Sequence, residues 1–307
     1  MNKLPGEIIT FQLKPNKFGK NTATLYRHPF QGKSTKAVLY IHGFNDYFFQ
    51  EHMADWYTGI GFQFFALDLR RYGRSLLPHQ KPNTTHNLVE YDEEILLSLA
   101  HIKKSCCTKV VLLGHSTGGL IASLFCHHHR DQPPVKALIL NSPFLDFNMS
   151  VFEKAVLPLI AFTGRLFPYL PSPAGLKKGY GESVHKTHHG EWDFDLKIKP
   201  VQGYPVNLGW VNAIYTAQKE LQNGLDIPIP VLVMHSDKSV QPGDFKQAML
   251  YADSVLNVKD IARYAKKLGK HVTTKVINNG MHDLTLSQKS VREEAFRVMK
   301  EFLDQVD

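Results

Sequence analysis

The chain has 307 residues, 43% hydrophobic and 21% charged, the balance of an ordinary globular protein with room for one large α/β domain and an insertion. Its net charge of +8 is uneven: residues 1–36 hold seven cations (Lys3, Lys14, Lys17, Lys20, Arg27, Lys33 and Lys36) against Glu7, a net of +6, which leaves +2 for the rest. The excess sits in a basic first segment rather than a basic groove, which argues against nucleic acid as a partner and is consistent with a solvated edge or with weak attraction to an anionic membrane surface.

Cys106, Cys107 and Cys126 are a sparse, odd set with two members adjacent, which fits a reducing, cytoplasmic setting better than a disulfide framework. The first residues contain no apolar stretch of the kind a secretory signal needs.

Residues 8–13 and 22–26 read as two short strands joined by a Pro/Asn/Gly-containing turn. Residues 37–41 (AVLYI) form a continuous apolar run, the pattern of a strand buried on both faces of a parallel sheet. That run ends in His42-Gly43-Phe44, where the Phe44 N–H is a candidate oxyanion donor and His42 reads as a loop-shaping residue. A helix over 52–59 and a strand over 61–67 lead into the polar loop Asp68-Leu69-Arg70-Arg71-Tyr72-Gly73-Arg74-Ser75. Its arginines either pair with acids to order neighbouring loops or stand in solvent. Leu88, Tyr91, Ile95, Leu99 and Ile102 give residues 87–104 the spacing of an amphipathic helix.

The next strand, 110–113, stops at Gly114-His115-Ser116-Thr117-Gly118. This is G-x-S-x-G, a serine on a tight strand-to-helix turn with glycine where side chains would collide. The turn exposes Ser116 Oγ and aims the Thr117 N–H at a developing oxyanion. A helix over 119–128 and a strand over 135–140 follow. His127, His128 and His129 at the helix end suit its negative C-terminal pole rather than a metal.

Strand–helix alternation then lapses. Residues 145–225 read as an inserted, mainly helical cap between two parts of a core, 1–144 and 226–307. Residues 151–170 are apolar, but Pro158, Pro168 and the charges Glu153, Lys154 and Arg165 argue for short helices rather than a membrane span. Residues 171–205 read as loop and 210–221 as a helix. The core resumes with a strand at 228–234, a helix over 257–268 capped by Asn257, a strand at 272–277 and a closing helix over 290–303.

A serine hydroxyl needs a base to take its proton. His282 alone lies late in the chain, on a loop after a strand at the edge that carries Ser116. The acid that orients the imidazole belongs after the 228–234 strand, and both Asp237 and Asp253 qualify. Asp253 is favoured, lying just before the Asn257 helix. Asp283 points away.

These residues, in the order Ser…Asp…His, with HGF at 42–44, GHSTGG at 114–119, NSPF at 141–144 and DSVLNV at 253–258, resemble the α/β-hydrolase superfamily. Within it the chain looks like the monoacylglycerol lipase, lysophospholipase and serine aminopeptidase branch. The resemblance implies a mostly parallel, eight-stranded sheet flanked by helices. Its acid commonly stands as Asp-x-Val before a helix, which again favours Asp253. Here Ser236 replaces a usual glycine, and 237–252 looks inserted. The expected activity is cleavage of a lipid-like or small acyl ester through an acyl-enzyme on Ser116, without cofactor or metal. An aminopeptidase would want a cap carboxylate for the substrate amine, and Glu182, Glu191, Asp193 and Asp195 are candidates. A ligand-binding protein without turnover is the third reading.

Overall fold

The computed structural model describes residues 4–105, 107–172 and 175–306, so Lys3 and Cys106 lie outside the described residues. Eight strands form one sheet: β1 (Glu7–Asn16), β2 (Gly19–Arg27), β3 (Lys36–Ile41), β4 (Gln63–Asp68), β5 (Lys109–His115), β6 (Ala137–Asn141), β7 (Val231–Ser236) and β8 (Val272–Ile277). Their spatial order is β1-β2-β4-β3-β5-β6-β7-β8. The first two pairings, β1 with β2 and β2 with β4, are antiparallel, and all the others are parallel.

The apolar run of β3 explains its central place. Ala37, Leu39 and Ile41 face one core layer, while Val38 and Tyr40 face the other. The first layer packs beneath α2 (Asp92–Lys104) and α3 (Thr117–His128). The second packs beneath α1 (Glu51–Gly59) and α8 (Lys289–Val306). Both faces are covered, as a parallel sheet requires. Strand order runs outward in opposite directions from β3 and β5, so the crevice beyond their C-terminal ends is the topological switch point where such sheets bind ligands.

Between β6 and β7 lie α4 (Val151–Leu166), α5 (Lys178–Val184) and α6 (Leu208–Asn223), and α7 (Val258–Ala265) follows β7. Two expectations need correction. Residues 151–166 are a single helix, although Pro158 sits inside it. Ser150 and Glu153 close a reciprocal capping box at its start, and Leu157, Ala161 and Gly164 bury one face against α6. These contacts outweigh the one backbone hydrogen bond that proline removes. The stretch expected as loop contains α5, whose Gly179 N–H donates to the Gly243 carbonyl at 3.0 Å. The 87–104 segment is helical, but its first turn, Leu88–Tyr91, is a 3₁₀ turn capped by Asn87.

Candidate active site

Ser116 sits between β5 and α3 with φ +52° and ψ −118°, a left-handed conformation that costs free energy in a non-glycine residue. The surrounding glycines make the turn possible. A Cβ on Gly114 would lie 2.6 Å from the Gly118 carbonyl oxygen, and one on Gly118 would lie 2.4 Å from the carbonyl oxygens of Ile41 and His42. The turn therefore brings β5 and the His42-Gly43-Phe44 loop into direct contact.

The loop after β8 brings His282 to Ser116. Oγ and His282 Nε2 are 2.9 Å apart, and His282 Nδ1 is 2.9 Å from Asp253 Oδ2. Asp253 is fully buried. Its other oxygen accepts the N–H groups of Val255 at 2.8 Å and Leu256 at 2.7 Å, so the carboxylate is held from behind while one oxygen faces the imidazole. Asp237 does something else. Its Oδ1 accepts the Asn279 N–H at 2.7 Å, and its Oδ2 lies 3.5 Å from the Lys238 ammonium. It fastens the end of β7 to the turn before His282. The His282 ring is gripped by His115 and Tyr180, with centroids 4.9 and 5.4 Å away.

The Phe44 and Thr117 N–H groups, expected to receive an oxyanion, have no protein acceptor among the described residues. The Phe44 ring packs on Trp210 of α6 at 4.7 Å. His42 is buried and shapes its loop: Nδ1 donates to the Gly43 carbonyl and Nε2 accepts the Leu69 N–H. Burial holds its pKa below the ordinary value, against the pull of Asp68 and Asp46. Burial likewise lowers His115, whose Nδ1 donates to the Asn141 carbonyl.

Sequence reasoning placed Asp283 away from the site but missed how it and Asn141 support the loop. Asn141, at the end of β6, donates to Asp283 Oδ1 at 2.7 Å and accepts the Leu284 N–H at 3.2 Å. Asp283 also takes the Thr285 N–H and hydroxyl. Burial alone would raise the Asp283 pKa, but His115, the hydrogen bonds from Thr285 and Asn141, and Lys199 together hold it below the ordinary carboxylate value. Asp283 thus points away from Ser116 and pins the loop that carries His282. The arginines after β4 are not solvated. Arg70 pairs with Glu93 and Glu94, Arg71 with Glu90, and Arg74 with Asp68.

A narrow cleft opens above Ser116. Its apolar wall includes Phe44, Leu176, Tyr180, Phe194 and Val201, and its polar wall includes Asn45, Asp46, His115 and Lys199. Glu182, Glu191, Asp193 and Asp195 are not among the lining residues. They engage Lys178, Arg292, Lys186 and the Lys197 N–H respectively. The three histidines after α3 hold separate partners: His127 accepts the Asp226 N–H, His128 meets Glu220 and His129 meets Asp92.

A family model for serine aminopeptidase, S33 (Hydrolase_4) matches residues 32–289, a span that contains every residue of this cleft. The chain belongs to this hydrolase family. Solved structures agree on the fold of this Hydrolase_4 member. The soluble variant of monoglyceride lipase from Saccharomyces cerevisiae, in complex with a substrate analog, superposes with a TM-score of 0.72 at 17% identity, covering 99% of this chain and 96% of that one. Monoacylglycerol lipase from Paleococcus ferrophilus gives 0.67 at 18%, covering 92% and 99%. Est1E from Butyrivibrio proteoclasticus, bound to ferulic acid, gives 0.60 at 21%, covering 96% and 98%. A short stretch of 66 residues is 32% identical to N-acetylneuraminate epimerase from Escherichia coli (strain K12), 22% of this chain and 18% of that protein's length. The Hydrolase_4 member therefore spans less than a fifth of this curated relative.

Proposed function

We propose that the protein is a serine carboxylic ester hydrolase. The observation that carries the reading is the unbroken relay Ser116 Oγ–His282 Nε2 and His282 Nδ1–Asp253 Oδ2, each link 2.9 Å, at the floor of a cleft. Ser116 attacks the ester carbonyl as His282 takes the hydroxyl proton. The Phe44 and Thr117 N–H groups bind the oxygen that becomes negative. Asp253 holds the imidazole tautomer and stabilises its charged form. Collapse of the tetrahedral intermediate expels the alcohol, protonated by His282. Water activated by the same imidazole then frees the acid.

The apolar wall of Leu176, Phe194 and Val201 suits an acyl chain, which favours lipid-like or small acyl esters. Most of these groups come from residues 145–225, which we read as a cap over a core of 1–144 and 226–307. An aminopeptidase reading lacks its support at the cleft, because the four candidate carboxylates are engaged elsewhere and the lining carboxylate Asp46 already holds Lys199. A binder without turnover would have no use for a strained serine in contact with a base.

The cap also presents a surface. Val151, Phe152, Leu159, Phe162 and Leu166 of α4, with Phe167, Tyr169 and Leu170 beyond it, are exposed. Arg165 stands exposed among them, and Lys17, from the basic first segment, meets His86, whose ring packs against Tyr169. An apolar face with basic flanks suits the surface of an anionic lipid bilayer, our reading of its partner. The deciding experiment for the activity is labelling with a fluorophosphonate, alongside turnover of p-nitrophenyl esters of increasing acyl length. Wild type is expected to label and turn over, and Ser116→Ala to do neither. Equal labelling of both would refute the reading.

A further inference from the structure

Residues 195–204, between α5 and α6, form a strap across the loop that follows Phe44. It grips three consecutive loop residues. Asn45 donates from Nδ2 to the Pro200 carbonyl at 3.1 Å and accepts the Tyr204 N–H at 3.2 Å. Asp46 Oδ1 meets the Lys199 ammonium at 2.6 Å. The Tyr47 hydroxyl accepts the Asp195 N–H at 2.8 Å. Lys199 is only 5% exposed, Asp46 only 6%, and both line the cleft that holds Ser116. The ammonium also lies over the rings of Phe49 and Phe194, 4.7 and 5.0 Å from their centroids.

A buried ion pair is a poor way to gain stability, because desolvating both charges offsets most of their attraction. What it does supply is a fixed geometry. Here the geometry concerns one backbone group. Asn45 has φ +55°, a region uncommon for non-glycine residues though tolerated best by asparagine, and it directly follows Phe44, so the path of this turn constrains the segment that presents the Phe44 N–H. Without outside bonds this turn has other, less strained states, and in those the N–H need not face the oxygen of a bound ester.

We propose that Lys199 is a positioning residue for the oxyanion hole. Its ammonium locks Asp46, and the strap of which it is part holds residues 45–47, directly after Phe44, so that the Phe44 N–H meets the transition-state oxygen. This rests on the reading of Ser116 as the nucleophile and Phe44 as an oxyanion donor. The role predicts a loss in kcat rather than in substrate binding, because the N–H bonds more strongly to the oxyanion than to the ground-state carbonyl.

The test compares wild type, Ser116→Ala, Lys199→Met and the double variant Lys199→Met/Asp46→Asn. Methionine keeps the packing on both rings, and the double variant leaves no unpaired buried charge, so folding is protected. Steady-state hydrolysis of a neutral p-nitrophenyl ester is normalised to the endpoint of fluorophosphonate titration, which counts only folded, competent sites. Both Lys199 variants are expected to lose about 10- to 100-fold in kcat, a part of what removing an oxyanion donor costs, with KM within about threefold. The affinity of a trifluoromethyl ketone, whose adduct places an oxyanion in the hole, should fall by a similar factor. Wild-type kcat in the double variant, or a loss confined to KM with ketone affinity unchanged, would overturn the proposal while leaving the hydrolase reading intact. Turnover by Ser116→Ala equal to wild type would instead remove that reading, and this inference with it.

Discussion

At the scale of single residues, the two aspartates differ in how they are held. Asp253 is buried, with one oxygen fixed by two backbone N–H groups and the other on His282. Asp237 is partly exposed and bonds a backbone N–H in a turn. Asp253→Asn should therefore lower kcat about 10³- to 10⁴-fold, because the amide favours the wrong imidazole tautomer. Asp237→Asn should stay within about tenfold of wild type, since an amide oxygen still accepts the Asn279 N–H. Steady-state ester hydrolysis by the two folded variants checks both, and the reverse ranking would count against the relay described above. Ser116 and His282 were legible in the sequence because local pattern and chain order constrain them: a turn that only glycines permit, and a late loop at one sheet edge. The choice between aspartates was not fixed by spacing, because residues 238–252 can lie on either side of the acid. The way Asp283 and Asn141 together support the His282 loop was not legible for a different reason. They meet across 142 positions, and nothing local to either stretch shows that pairing.

At the scale of elements, α4 is the informative case. The strands were readable because a parallel sheet needs uninterrupted apolar runs, and β3, β5 and β7 are such runs. Helix α4 was read as broken because Pro158 and the charges argue locally. Its continuity comes from the cap at Ser150 and from packing on α6, where a Cβ on Gly164 would lie only 2.0 Å from the Leu208 carbonyl oxygen. Close approach to another element is invisible to local propensity. The short helix α5 was missed for the same reason, since two glycines in seven residues oppose it and its neighbours hold it. The opposite face of α4 stays uncovered, and its Phe152 is 77% exposed. If that face rests on an anionic bilayer, the protein should co-sediment with phosphatidylglycerol vesicles more than with phosphatidylcholine vesicles, and less at high salt. The pair Phe152→Ser/Phe162→Ser should reduce partitioning by about tenfold or more, from the apolar area lost, with p-nitrophenyl acetate turnover unchanged. Equal sedimentation of wild type and variant would reject the assignment.

At the scale of the whole molecule, the loops at the C-terminal edge of the sheet are tied together by neutral histidines, and this makes their stability depend on pH. His42 joins the β3 loop to the Leu69 N–H, and His115 joins the serine turn to the end of β6. His52 Nε2 donates to the Thr285 carbonyl at 2.8 Å beyond His282, while its ring stacks on Trp192. Burial lowers the pKa of all three. For His52 the Thr285 carbonyl and Asp283 oppose that shift and Arg292 adds to it. A histidine whose folded pKa is depressed binds fewer protons folded than unfolded. Its contribution is complete above the unfolded value of 6.5 and is lost as pH falls below it, down to the folded pKa. Glu94 works in the other direction. Burial raises it to about 7 against the pull of Arg70, so it adds stability as pH falls, and the total slope mixes both effects. A difference between variants separates them. His52→Gln keeps an N–H donor for Thr285 but removes the titration. Urea denaturation at pH 7.5 and 5.5, at constant ionic strength, should show wild type losing more stability than His52→Gln on acidification, the direction that linkage gives for a histidine depressed by burial. A variant that loses as much as wild type would mean that His52 protonates as freely in the folded protein as in the unfolded chain, and that acid leaves its tie to the His282 loop intact.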